Sequence, residues 1–143
     1  MQWKQIDNQP RTFALIFGMG DEVNQGLTAF AEEHKLSDAS FKAIGALQSV
    51  KLGWYNPETK KYQTSVDLDE QVELLSLVGD VAQQDSKSIV HAHMVVGRSD
   101  GSTAGGHLLS AVVRPTCEVF LTESPAHLSK ALDSDSGLVL IKL

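Results

Sequence analysis

One helix-period segment followed by an unbroken succession of β-prone runs is the feature that most narrows the folds open to this chain. Val23, Leu27, Phe30, Ala31 and His34 fall at i, i+4, i+7, i+8 and i+11, one face of a helical wheel. Asp21 is placed to cap that helix, with Glu22 in its first turn and Lys35 in its last, as the helix dipole prefers. No second helical period follows. Thr12 to Phe17 already reads as a strand closed by Gly18-Met19-Gly20. After the helix, Phe41 to Tyr55 is mostly apolar or β-prone, with Gly45 and Gly53 as bulge positions, and Asn56-Pro57-Glu58-Thr59 turns it back through Lys61-Tyr62-Gln63 as a hairpin. Val72 to Val78, Ser88 to Val96, Leu108 to Val113, Cys117 to Thr122 and Leu138 to Leu143 read as further strands. The expectation is a single α+β domain over residues 1–143, a largely antiparallel β-sheet packed with one main α-helix.

A chain of 143 residues can bury an adequate core without covalent staples. The lone Cys117 cannot form an internal disulfide, and its surroundings, Thr116 to Leu121, read as a buried strand. The start of the chain lacks a basic segment followed by an apolar stretch, and no run is long enough to span a bilayer. A reducing cytoplasm and no membrane partner are the expectations. Twelve basic against 18 acidic residues give a net charge of −6, with the cations scattered. Phosphate neutralisation supplies most non-specific nucleic-acid affinity, so tight direct DNA binding is not expected.

The chemically pointed feature is His91, His93 and His107. In a strand, residues two apart share a face at roughly 6.5 to 7 Å along the chain, so His91 and His93 present their imidazoles side by side. Val90, Ala92, Met94 and Val96 form the opposite, core-facing row. After Arg98-Ser99-Asp100-Gly101 the chain returns through Ser102 to His107, and a hairpin there brings the third imidazole beside the pair. Gly105 and Gly106 remove side chains where another backbone would approach closely. Three imidazoles with an open fourth position describe a divalent-metal site, zinc first, although nickel, iron and manganese also accept imidazole. Glu118 and Glu73 are the carboxylates nominated as extra ligands or as hydrogen-bond partners of the ligands. The competing reading is three ordinary core histidines bonded to backbone or carboxylates; the spacing favours metal. His34 on the helix face and His127 in a polar loop have no such company and read as structural.

Two weaker motifs are set aside. Gly97-Arg98-Ser99-Asp100-Gly101 fits G-x-S-x-G but sits between strands rather than in a strand-to-helix turn, so it is no nucleophile elbow. Gly18-Met19-Gly20 lies where a phosphate loop could, yet Asp21 and Glu22 put negative charge at the phosphate position.

Arg11 to Leu15, Gly18 to Asp21, Gly45-Ala46-Leu47, Val72 to Gly79, and then His91-Ala92-His93 with Gly105-Gly106-His107-Leu108 together resemble the plants and prokaryotes conserved (PPC) domain over nearly the whole chain. The resemblance implies an antiparallel α+β fold, assembly as a homotrimer, and three metal-binding histidines at His91, His93 and His107. In plants the domain accompanies AT-hooks and mediates association among proteins. This chain has neither an AT-hook nor a basic run. The resemblance therefore implies a metal-binding assembly or regulatory module, brought to DNA by other protein partners. The fold and the histidine trio also resemble acetolactate decarboxylase. That likeness implies, as the alternative, a metal-dependent lyase or decarboxylase on a small keto or hydroxy acid, with Arg98 or Arg11 binding a substrate carboxylate.

Overall fold

A computed structural model describes residues 1–124 and 129–142. Nine strands and one helix follow in the order β1 (Gln2–Asn8), β2 (Arg11–Phe17), α1 (Val23–Glu33), β3 (Asp38–Asn56), β4 (Lys61–Leu68), β5 (Val72–Gln84), β6 (Lys87–Gly97), β7 (Thr103–Glu123), β8 (Ser129–Leu132) and β9 (Val139–Lys142). The described residues are mostly antiparallel β-sheet with a single short helix. They hold more strand than the sequence reading assigns, and β5 with β8 is a parallel pair.

Alternation explains the long strands. On β2, Phe13, Leu15 and Phe17 point inward, and on β7 Cys117, Val119 and Leu121 do so from the neighbouring strand, all at 1% exposure or less. The helix lays Val23, Leu27, Phe30 and Ala31 against this layer. Gly26 permits the contact, since a Cβ there would lie 2.4 Å from the Phe17 ring. The cap is Glu22 rather than Asp21: the Glu22 carboxylate accepts from the backbone N–H of Gln25 at 2.6 Å and of Ala111 at 2.9 Å. Asp21 instead accepts from Gly18 N–H and pairs with the terminal ammonium of Met1. Lys35 falls beyond the helix in a left-handed conformation, with φ of 52°. His34 packs among Trp3, Phe13 and Phe30, the structural role its isolation implied. His127 lies outside the described residues.

Strand pairing positions the site. β7 pairs with β3, β3 with β5, β5 with β6, and β6 returns to β7, a closed circuit of four strands. Gly45 and Gly53 both sit at register shifts, as the bulge reading expects. β7 runs through both predicted strands, Leu108 to Val113 and Cys117 to Thr122, as one element. β1 was not anticipated; all its residues are exposed, so no buried alternation marks it. β5 continues past Val78 to Gln84, which brings Asp80 opposite His91.

Candidate metal centre

The three histidines converge. His93 on β6 and His107 on β7 are directly paired across the ladder, and His91 lies two residues before His93 on the same face. The ring centroids stand 5.2 Å (His91 to His93), 5.2 Å (His91 to His107) and 5.6 Å (His93 to His107) apart, and one ligand atom from each lies within 4.8 Å of the others. Gly106 makes the approach possible, because a Cβ there would lie 2.8 Å from the Gly53 carbonyl oxygen; at Gly105 it would lie 3.2 Å from that of Met94. Gly53 in turn leaves room for Tyr62, whose ring stacks on His107 at 4.0 Å.

The cluster fits a cation better than it fits a hydrogen-bonded core. Among the described residues the buried Nδ1 of His107 has no hydrogen-bond partner, a cost in a packed interior that a ligand on that ring would offset. The His107 pKa is lowered from 6.5 to about 4, first by burial and then by the charges of His91, His93 and Lys130. Burial and His91 lower that of His93 as well. Neutral imidazole is the form that ligates a metal, so these rings need not shed a proton to do so near neutral pH.

A carboxylate supports the cluster, though not either one nominated from the sequence. Asp80 places an oxygen 3.6 Å from His91 Nδ1, and its other oxygen pairs at 2.5 Å with the Lys130 ammonium, whose side chain is 2% exposed. Burial works to raise the Asp80 pKa, but His91 and Lys130 outweigh it and hold the group below 3.8. An anionic partner on Nδ1 orients the ring and leaves Nε2 for a metal. Asp80 escaped the sequence reading because the expected strand stopped at Val78.

Glu73 and Glu118 lie elsewhere, together lining a separate concavity of about 560 Å³ with Ile44 and Leu75. Glu118 pairs with Ile16 and Ile44, and Glu73 lies opposite Gly97 at the far end of β6 from His91. Alternation gives the side of a strand but not its lateral neighbours. The two arginines are neutralised internally, Arg98 by Glu70 at 2.8 Å and Arg11 by Glu123 at 2.7 Å. Neither is held toward the histidines as a free anion site. Ser99 lies in a strand-to-strand turn in which Gly101 N–H donates to the Arg98 carbonyl, with Gly101 at φ of 82°. Burial pushes the Cys117 thiol up to about 12, leaving it unreactive.

The histidines border an exposed apolar face. One cross-strand row runs Ala14, Phe120, Lys42, Val78, His93, His107 over β2, β7, β3, β5, β6 and back to β7. Phe120 and Val78 on that row, with Ile44 and Leu75 nearby, are each about half exposed or more, from 47% to 62%.

One pH dependence follows from these groups. Without metal, the unfolded chain takes up the His107 proton near 6.5, whereas the folded protein resists until about pH 4. Stability fully present above 6.5 is therefore lost as pH falls toward 4. Thermal melts in chelator should show this decline, with a shallower slope in His107→Gln; equal slopes would exclude His107 as its source.

Comparison with known proteins agrees with this geometry. The model of the Plants and Prokaryotes Conserved (PCC) domain matches residues 4–125. A crystal structure of a candidate DNA-binding protein from Bacteroides thetaiotaomicron superposes with a TM-score of 0.91 at 30% identity, covering 99% of this chain and 96% of that one. A metal-containing protein from Archaeoglobus fulgidus gives 0.85 at 35% identity, over 99% and 97%. A Staphylococcus aureus protein similar to alpha-acetolactate decarboxylase shares the fold alone, at 11% identity and 0.53 over 85% of this chain and 53% of that one. Among curated proteins, the bifunctional protein GlmU of Synechococcus is 32% identical over 114 residues, 78% of this chain; the match spans only 16% of that relative's length.

Proposed function

This chain belongs to the Plants and Prokaryotes Conserved domain family, and from that premise we propose that it is a metal-binding assembly module, a homotrimer holding one divalent ion per chain at His91, His93 and His107. It serves DNA-associated regulatory complexes through protein contacts rather than through its own affinity for DNA. The observation that carries the reading is the convergence of three ligand atoms within 4.8 Å, with the buried Nδ1 of His107 unpartnered among the described residues.

Supporting facts come from three sides. A relative 35% identical is described as metal-containing, and another, 30% identical, as a candidate DNA-binding protein. A net charge of −6 opposes a polyanion and favours a protein intermediary. The exposed row through Phe120 and Val78 is the kind of patch that monomers rarely leave uncovered, and a ring of three copies would cover it. Imidazole nitrogens in this number suit zinc first, and a bound ion would supply Lewis acidity at its open position. The decarboxylase reading has only fold likeness behind it. In addition, no carboxylate nominated from the sequence reaches the histidines. No helix among the described residues is long and apolar enough to cross a membrane. The buried free thiol of Cys117 suits a reducing cytoplasm.

The test is elemental analysis of untagged protein combined with sedimentation. About one equivalent of metal per chain is expected on the three-ligand argument, in a particle three times the 15.5 kDa chain mass. His93→Ala should carry almost none. Metal far below one equivalent with no uptake on dialysis would remove the metal from the proposal, and a monomer would remove the trimer. Tight, salt-sensitive retardation of DNA by the pure protein would overturn the claim of weak direct affinity.

A further inference from the structure

We propose that the cleft on the His107 side of the cluster is a binding site for a small organic anion, an oxyanion head joined to a compact apolar body. The inference deepens the metal-site reading and rests on it for the ion at one end of the cleft. The lining itself supplies an independent argument.

The cleft encloses about 320 Å³ between the end of the β3–β4 hairpin, β6, β7 and the β8–β9 hairpin. Lys60, Lys61, Lys130, His91 and His107 all line it, and among the described residues no aspartate or glutamate does, Asp80 standing behind His91 and Lys130. In a chain with an acidic excess of six, a lining that presents only cationic and neutral side chains favours negative charge. The three ammonium groups differ in what holds them. Lys130 is neutralised by Asp80, and Lys60 donates to the Ser134 carbonyl at 3.0 Å, with its charge close enough to Asp133 to help hold that carboxyl below its usual pKa. Lys61 has no ion pair among the described residues and is exposed, so its charge is available at the rim. A divalent ion on the histidines would add further positive charge at the inner end.

The rest of the wall is apolar. Tyr62 and Tyr55 lie edge to face at 5.4 Å, and Tyr55 is anchored by donating its hydroxyl proton to the Ser136 carbonyl. Ile89 of β6 and Leu138 and Leu140 of the C-terminal hairpin line the same cleft. Such a site takes a molecule with an aromatic or branched aliphatic body and one charged end, not a bare inorganic ion. The hairpin wall, residues 129–142, lies beyond the stretch that the family model matches.

A carboxylate and a phosphate monoester share the required head, so the test uses both. Zinc-loaded protein, its metal content measured first, is titrated by calorimetry with benzoate, with phenyl phosphate, and with neutral benzamide. At least one anion is expected to bind one per chain, at least tenfold more tightly than benzamide; which anion is tighter identifies the head. Leu140→Asp places a carboxylate in the exposed wall away from the histidines and should weaken anion binding at least tenfold with metal content unchanged. Leu140→Asn controls for shape and for the lost apolar contact, and should weaken the anions and benzamide alike, by less than Leu140→Asp weakens the anions. Equal binding of benzamide, no binding of either anion to metal-replete protein, or indifference to Leu140→Asp would each overturn the proposal. If the protein carries no metal, the metal-site reading has failed by itself. The same titrations on that protein then decide the cleft: charge-selective binding sensitive to Leu140→Asp upholds it, and its absence overturns it.

Discussion

Replacing Gly79 with alanine should destabilise the protein by about 3 kcal/mol or more, the upper end of the overpacking range, because the added methyl meets rigid neighbours on every side. A Cβ at this position would lie 2.4 Å from the His91 carbonyl oxygen, 2.5 Å from the Phe41 ring and 2.9 Å from the Ala92 Cβ. Phe41 is a buried core residue, and the His91 carbonyl belongs to the β5–β6 ladder, so neither can swing aside as an exposed side chain would. Relief requires β5 and β6 to separate at the point where Asp80 meets His91. The melting temperature should fall by roughly 10 °C, taking several degrees per kcal/mol for a domain of this size, and metal affinity should fall with it. Gly18→Ala is the control, since the nearest atom to its Cβ would be 3.9 Å away. It should change stability by less than about 0.5 kcal/mol. Urea titration of both variants measures the difference, and a Gly79→Ala protein as stable as Gly18→Ala would show that the two strands are not packed as closely as described.

Removing the Asp80 carboxylate should produce the second large effect, in two separable quantities. Asp80→Ala strands the Lys130 ammonium, whose side chain is 2% exposed, beside His91. Breaking a buried pair from one side costs about 3–5 kcal/mol, and the 27% exposure of Asp80 puts the expected loss at the lower end of that range. Independently, His91 loses the group that orients it, and partners of this kind contribute about 10–100-fold to metal affinity. Asp80→Leu combined with Lys130→Met distinguishes the two effects. The paired replacement restores much of the stability because no uncompensated charge remains, yet it leaves the metal affinity low. Unfolding curves and metal competition titrations give the two readouts. Metal affinity recovering together with stability in the paired variant would show that Asp80 acts on the fold alone.

These two positions also mark where the sequence was readable and where it was not. His91 and His93 share a face by strand alternation, and His107 returns through one tight turn, so the whole cluster follows from local periodicity and a Gly-Gly pair. The glycine bulges at Gly45 and Gly53 were legible for the same reason. Asp80 was not, because the apolar pattern lapses at Gly79-Asp80 although the ladder with β6 continues to Gln84. Lys130 reaches the site from a strand far along the chain, and no local pattern announces such a meeting. Glu73 and Glu118 failed through the same gap. β1 carries no buried residue, so only its pairing with β2 makes it a strand.

The turn from Arg98 to Ser102 ties Gly97 to Thr103 and thereby sets His93 opposite His107. Because neighbouring residues on a strand face opposite ways, a slip of β7 by one residue against β6 would send the third imidazole to the far side while leaving the amino acid itself untouched. The pairing of β7 with β3, which sets Gly53 opposite His107, holds that phase, so descendants of such a sequence can change the loop's length while the strands keep step. The phase of two paired strands, as much as the identity of three side chains, is what inheritance must preserve.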